Sequence, residues 1–297
     1  MRYCFIINPL SGKKGKNENR RETVTEFVKE RSLDAVVKVT EYAGHAAQLA
    51  RWAVESGFDR IISVGGDGTM NEVASELIHK DAIFGLVPLG SGNGLGRDLG
   101  IPLEFKEALD VIISGRVREI DTGCVNDVSF FNVMGLGFDA DVGRRFNESK
   151  DRGFLSYAKL TFSSFRSYQK LRCRIETEDQ TFDREVFILA VANSTQYGNN
   201  AHIAPQALLD DGLLDLVCIE TKRFWQIAGL GIRMFRGTLN QSSMVQSSRG
   251  KSFRIFLDRE CSLHTDGEIH QMGKELDVKI DPLSLKILVP KKIIESG

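Results

Sequence analysis

Residues 61–72, Ile61-Ile62-Ser63-Val64-Gly65-Gly66-Asp67-Gly68-Thr69-Met70-Asn71-Glu72, constrain this chain more than any other stretch. A short run rich in β-branched residues leads into three glycines within four positions, and Thr69–His79 then carries a helical pattern. The order is strand, tight loop, helix. Glycines packed this densely mark backbone that something approaches closely, or backbone with positive φ. The following helix points its first N–H groups and positive dipole end at the loop, which favours an anion, phosphate above all. Asp67 would repel a bare anion. Its carboxylate makes sense if a divalent cation sits between it and a polyphosphate, because magnesium is commonly held by one or two carboxylates plus substrate phosphates. The competing reading is a ligand-free strand-to-helix turn with Thr69 as its N-cap.

Composition removes several function classes. Lys and Arg number 39 against 40 Asp and Glu, a net charge of −1, so no global basic field for nucleic acid exists. A 42% hydrophobic share argues for a folded chain, and 297 residues allow two domains. The five cysteines, at 4, 124, 173, 218 and 261, show no zinc spacing and read as reduced core residues of a cytoplasmic protein. The apolar run Tyr3–Ile7 is too short for a signal-peptide core, and no 18-residue apolar run suggests a membrane span.

Tyr3–Ile7 reads as a buried strand broken by Asn8-Pro9-Leu10-Ser11-Gly12, after which come Lys13, Lys14, Lys16, Arg20 and Arg21. This is not a Walker A loop, since both the spacing and the hydroxyl residue are missing. Residues 17–31 read as helix, Ala35–Val39 as a strand ended by Thr40, and Gly44–Gly57 as an amphipathic helix. His45 reads as a first-turn helix residue in preference to a general base. Ile83–Pro88 is another buried strand, followed by a second glycine loop holding Ser91-Gly92-Asn93; Leu103–Ser114 reads as helix and Arg116–Asp121 as a strand leaving the first domain. Repeated strand-helix units imply parallel strands joined by right-handed crossovers.

From there the periodicity changes to short alternating runs: Val125–Val133, Arg172–Glu176, Glu185–Asn193, Leu213–Glu220, Phe253–Leu257, Leu276–Ile280 and Leu285–Val289. Turn pairs Asn126-Asp127 and Asp266-Gly267 punctuate them, which favours an antiparallel sandwich. Gly135-Leu136-Gly137-Phe138-Asp139-Ala140 fits a dinucleotide fingerprint but lacks the βαβ unit that would support one. Residues 144–174 hold nine Lys or Arg against two acids, with aromatics interleaved, and read as a helical stretch that suits either an anionic membrane surface or plain surface packing. Lys222–Arg236 reads as a helix packed on the sheet.

Taken together these motifs resemble the diacylglycerol kinase and sphingosine kinase superfamily, whose fold is related to that of NAD kinases and phosphofructokinases, over essentially the whole chain. The resemblance implies an α/β N-terminal three-layer domain with a mainly parallel sheet over residues 1–121, joined by a C-terminal tail near 286–297. It implies a mainly antiparallel β-sandwich C-terminal domain over 122–285 that binds the lipid. ATP and Mg2+ follow, with nucleotide contacts from Asn8, Ser11, Gly12, Lys13, Thr40, Gly65, Gly66, Asp67, Gly68, Thr69, Asn71, Glu72, Ser91, Gly92 and Asn93. Gly94 departs from the Asp that many members carry after that Asn.

In the second domain, Asp210-Asp211-Gly212 is by itself a plain turn. By resemblance it becomes a structural magnesium site, with Asp211, carbonyls of Leu208 and Leu213, and Asp210 through water. Asp266-Gly267 is a strong hairpin signal, to which the family adds a carboxylate that accepts the proton of the substrate hydroxyl. Asp266 and Glu268 are the candidates, close enough to couple, and Asp67 completes the catalytic set. The expected activity is transfer of the γ-phosphate of ATP to a hydroxyl of a lipid, diacylglycerol-like or sphingoid-like. The rivals are a kinase of a soluble acceptor such as NAD and a non-catalytic, membrane-recruited nucleotide sensor. Expected partners are the lipid substrate and, peripherally, the membrane surface, with no nucleic acid and a homodimer left open; the expected location is cytoplasmic.

Overall fold

The computed structural model describes residues 1–12, 19–138, 168, 170–221 and 224–291. The chain divides into two compact units, Met1–Asp121 with Pro282–Gly297, and Thr122–Asp281.

The first unit alternates β1 (Arg2–Ile7), α1 (Arg20–Glu30), β2 (Asp34–Val39), α2 (His45–Glu55), β3 (Arg60–Gly65), α3 (Asp67–Ser75), β4 (Ile83–Pro88), α4 (Gly94–Asp98) and α5 (Phe105–Ser114). Its strands run parallel in the order β2-β1-β3-β4. Ile61, Ile62 and Val64 on β3 and Phe5, Ile6 and Ile7 on β1 are all buried, so both faces of these strands are covered. That is what a parallel sheet with helices on either side requires. In α2 the buried residues are Ala46, Ala50 and Ala53, on one helical stripe whose small side chains let the helix lie close to the sheet. Helix α3 starts at Asp67, two residues before the expected Thr69, because Met70 N–H donates to Gly66 O at 3.0 Å and closes the first turn there. It ends at Ser75, short of His79, whose φ of +58° is incompatible with a helix.

Among the described residues, the second unit consists of antiparallel strands with one α-helix and a short 3-10 helix at Leu239–Gln241. A six-stranded sheet has the order β12 (Val245–Gly250), β11 (Leu214–Ile219), β10 (Ile188–Ala192), β7 (Val133–Gly137), β14 (Cys261–Thr265), β15 (Glu268–Met272). Across the core from it, β13 (Ser252–Leu257) pairs with β8 (Leu171–Glu176), which pairs with β9 (Thr181–Val186), and with the start of β16 (Glu275–Val289). Leu136, Leu189, Leu216 and Leu263 from one sheet meet Ile175, Phe253, Ile255 and Val278 from the other. Burial in β8 alternates inward and outward, as a sandwich strand should. All six residues of β11 are buried, because its second face packs under Ile203, Ala204, Leu239 and Leu230 of α6 (Phe224–Phe235).

Three sequence expectations change. The run Val125–Val133 is interrupted: β5 (Arg116–Val125) turns at Asn126, φ +51°, into β6 (Val128–Phe130), and β7 starts afresh at Val133. The run Glu185–Asn193 divides into the end of β9 and β10, since Phe187 N–H leaves one ladder to donate to Ile219 O at 2.8 Å. The two runs near the C-terminus are one strand, β16, which carries Leu283 at φ +49° between them. The basic stretch 144–174 lies mostly outside the described residues, and its described end, from Leu171, is strand and not helix. No helix among the described residues is long and apolar enough to cross a membrane.

Phe253 is fully buried between the two sheets. Phe253→Ala should cost about 3–5 kcal/mol, read as a lower urea midpoint for the second unit; an unchanged midpoint would contradict this packing.

Candidate active site

The Gly65–Gly66 turn heads α3, and two other loops are stitched to it. Leu89 N–H donates to Gly65 O at 2.7 Å, and Gly66 N–H donates to Ser11 Oγ at 3.2 Å. Asn8 Nδ2 donates to Thr69 Oγ1 at 3.0 Å, while Asn8 Oδ1 accepts Leu10 N–H at 2.9 Å. Asn8, Ser11, Gly65, Gly66 and Thr69 are therefore brought together at one helix end.

The glycines here answer to packing. A Cβ on Gly90 would lie 2.9 Å from Gly66 Cα, and one on Gly65 would lie 2.6 Å from Thr69 Cβ. A side chain at Gly90 would force the two glycine loops apart, and one at Gly65 would collide with Thr69. The N–H groups of Asp67 and Gly68, in the first turn of α3, have no acceptor among the described residues. Such first-turn groups have no intrahelical partner, and they suit phosphate oxygens.

Asp67 does more than the sequence suggests. Its Oδ2 accepts Asn93 N–H at 3.0 Å and its Oδ1 accepts Gly94 N–H at 3.1 Å, so the carboxylate holds the second glycine loop in place. Asn93 has φ +50°, and its amide closes a ring with Gly90: Oδ1 accepts Gly90 N–H at 2.8 Å and Nδ2 donates to Gly90 O at 2.8 Å. The Asn93 amide thus shapes the loop from within. Each Asp67 oxygen receives one N–H, and a carboxylate oxygen has a second lone pair that a cation can use.

Glu72 is likewise occupied. Its Oε1 accepts Gly44 N–H at 2.9 Å and its Oε2 accepts Ala46 N–H at 3.0 Å, capping α2 from a neighbouring helix. His45 Nδ1 accepts Glu41 N–H at 3.1 Å and its ring stacks on Tyr42 at 4.5 Å, at the first position of α2. Thr40 N–H donates to Ile7 O at 2.9 Å. Asn71 is buried with its Oδ1 unsatisfied among the described residues, and Ser91 is exposed beside Gly92. Gly12 takes φ +99°, which only glycine adopts easily, and Lys13 lies outside the described residues.

The second unit holds the other carboxylates. Asp266 and Gly267, at φ +51° and +90°, form the tight turn between β14 and β15. The Asp266 carboxylate turns inward: Oδ2 accepts Phe131 N–H at 2.7 Å, and Oδ1 accepts Asn132 N–H at 2.8 Å and Val133 N–H at 3.0 Å. Burial pushes its pKa above the usual carboxylate range, and the three N–H donors pull against that shift. The sequence reading pairs Asp266 with Glu268 as proton acceptor; the structure instead makes Asp266 the clamp on residues 131–133. Glu268, two residues on, is exposed at the start of β15. Beside it, Thr265 Oγ1 lies 2.7 Å from His270 Nε2, and burial followed by the charge of His264 keeps His270 below the usual imidazole range.

At the other turn, Asp211 Oδ1 accepts Leu213 N–H at 3.1 Å, and its Oδ2 is ion-paired with Arg249, whose Nε lies 3.2 Å from Asp215 Oδ2. Arg249 already balances the charge of the Asp211 carboxylate, the one that the resemblance assigns to a structural magnesium. Leu208 and Asp210 are exposed beside this turn, and among the described residues no cluster of three His, Cys, Asp or Glu is placed to hold a metal. Arg249 and the N–H groups of 131–133 are the parts sequence reasoning missed. No motif marks either one; the only available signal for Arg249 is its place opposite Asp215 once the β11–β12 register is known.

Both carboxylate clamps are testable by stability. Asp67→Asn places an amide donor against a backbone N–H and should cost about 1–3 kcal/mol in urea unfolding, in addition to weakening nucleotide binding. Asp266→Asn, with three donors to satisfy, should cost at least as much, although Asn-Gly is itself a good hairpin pair. Wild-type midpoints in both variants would refute the clamps.

Residues 2–125 match the family model described as the diacylglycerol kinase catalytic domain, and residues 132–289 match the YegS C-terminal NAD kinase beta sandwich-like domain. A probable lipid kinase YegS-like protein from Pseudomonas aeruginosa (strain UCBPP-PA14) is 30% identical over 289 residues, covering 96% of this chain and 94% of its own. The diacylglycerol kinase of Bacillus subtilis (strain 168) is 28% identical over 274 residues, covering 90% and 89%. A solved diacylglycerol kinase structure from Bacillus anthracis str. Sterne superposes with a TM-score of 0.77 at 19% identity, covering 98% of this chain and 97% of its own, which establishes the likeness of fold. With both units matched and relatives aligned along nearly its full length, the chain belongs to the family of YegS-like and diacylglycerol-kinase-like lipid kinases, and is a kinase.

Proposed function

We propose that this kinase transfers the γ-phosphoryl group of MgATP to a hydroxyl of a lipid of the diacylglycerol or sphingoid type. One observation carries most of this reading: the head of α3, whose first N–H groups have no acceptor among the described residues and whose glycines leave no room for side chains, is chemically suited to polyphosphate. MgATP is a substrate here and brings its own divalent cation. Ser11 and Asn8 fix the turn that presents the N–H groups of Asp67 and Gly68, and Asp67 offers its remaining lone pairs to that cation.

Glu268 is the proposed proton acceptor. As its carboxylate takes the proton of the acceptor hydroxyl, the acceptor oxygen bonds to the γ-phosphorus and the bond from that phosphorus to the bridging oxygen breaks, leaving ADP. Asp266 keeps the turn that carries Glu268 in one conformation. Phosphoryl transfer depends mainly on positioning and charge stabilisation, so a rigid turn is a contribution in itself. A second reading has one observation in its favour: the sandwich matches a domain described as NAD kinase-like, which keeps NAD as a rival acceptor.

A labelled-ATP assay against diacylglycerol, monoacylglycerol, sphingoid base, phosphatidylglycerol and NAD decides between them. Labelled lipid is the expected product; labelled NAD alone would overturn the proposal. Glu268→Gln should lower lipid phosphorylation by roughly 10²–10⁴-fold with ATP affinity retained. Near-normal turnover in that variant would remove Glu268 from the chemistry.

A further inference from the structure

We propose that the outward face of α6 is a docking surface for an anionic lipid bilayer. The helix has two apolar sides. Leu230 and Met234 pack against the outer face of the six-stranded sheet, and Ile227 packs against Phe138 and Phe187. On the opposite side, Trp225, Ile232 and Phe235 are 66%, 55% and 59% exposed, with Ala228 and Gly229 also exposed between them. Positions 225, 228, 229, 232 and 235 recur at helical spacing, so these groups form one stripe.

Scattered exposed apolar residues need no explanation, but a stripe of Trp, Ile and Phe on one helix does. A bilayer interface suits it, since an amphipathic helix lying in the interface plane buries such residues at the headgroup boundary, where Trp is favoured.

Charge selects the occupant. Residues 224–248, which include α6 and the turn after it, carry Arg233 and Arg236 and no Asp or Glu. Arg233 and Arg236 belong to the last turn of α6 and the residue that follows it. Against a second copy of the same face, these cations would meet their own kind across a two-fold axis; against anionic headgroups they are attracted. The stripe and the charge therefore point to the same partner. This deepens the lipid-kinase reading, on which it rests for its purpose, by naming the surface that brings the enzyme to a bilayer-borne acceptor.

The chain has two tryptophans, Trp52 and Trp225, so a full-length Trp52→Phe protein reports on α6 alone. With vesicles of phosphatidylglycerol and phosphatidylcholine, Trp225 emission should shift to the blue and be quenched by brominated acyl chains; phosphatidylcholine alone should give little response, and salt should weaken binding. Changing Trp225, Ile232 and Phe235 together to Ser should reduce vesicle co-sedimentation at least tenfold with the far-ultraviolet circular dichroism unchanged. Vesicle binding that leaves Trp225 emission unaltered, or that survives the triple substitution, would overturn the proposal. A blue shift that follows protein concentration in the absence of lipid would overturn it too, in favour of self-association. None of these readings needs nucleotide or turnover: wild-type protein that phosphorylates detergent-dispersed lipid but does not bind the vesicles defeats the docking surface alone, and vesicle binding without any lipid product defeats the kinase reading alone.

Discussion

Three carboxylates hold the loops of this protein by accepting backbone N–H groups that no helix or strand provides for. Asp67 takes two from residues 93 and 94, Glu72 two from residues 44 and 46, and Asp266 three from residues 131–133. A buried N–H without an acceptor costs about as much as a lost hydrogen bond, and an ionised acceptor makes a stronger bond than a neutral one. Each clamp joins segments far apart in sequence, up to 135 residues for Asp266. The loops bearing the candidate site residues are thus set by tertiary contacts, and their local sequence alone does not determine their shape.

That explains how far the sequence could be read. The parallel first unit and the antiparallel second unit follow from hydrophobic periodicity, and the structure bears out that fold class. The position of the phosphate-suited turn is also legible, because three crowded glycines between a strand and a helix have few other uses. Roles within the turn are less so. The partners of Asp67, Glu72 and Asp266 are backbone N–H groups, which nearly every residue possesses, so no side-chain pattern announces them. Strand limits fail for a related reason: Asn126 and Phe187 sit inside apolar runs, yet a positive φ at one and a change of hydrogen-bond partner at the other end the strand.

The β14–β15 turn separates two carboxylates that stand two positions apart in sequence. A two-residue turn with positive φ at both positions accepts Asn or Asp first and Gly second. Asp is distinguished from Asn here because three N–H groups need two acceptor oxygens, and an amide has one. With the Asp266 carboxylate directed inward, the chain emerges from Gly267 into β15 with Glu268 exposed. One acid is spent on geometry, and the other stands exposed at the start of the strand.

A comparable division governs the Asp211 turn. Asp215 on β11 is directly opposite Arg249 on β12, so the sheet register fixes the guanidinium before any side chain chooses its rotamer. Burial pushes the Asp215 carboxyl upward and Arg249 opposes that shift, while the same arginine reaches Asp211. A divalent cation between such carboxylates would neutralise them and fix the turn; the arginine does both, and it is covalently part of the sheet. Gly212, at φ +70°, lets the chain bend back so that the Asp211 carboxylate also receives Leu213 N–H. The turn is therefore held by the ladder behind it, and its shape follows from strand pairing.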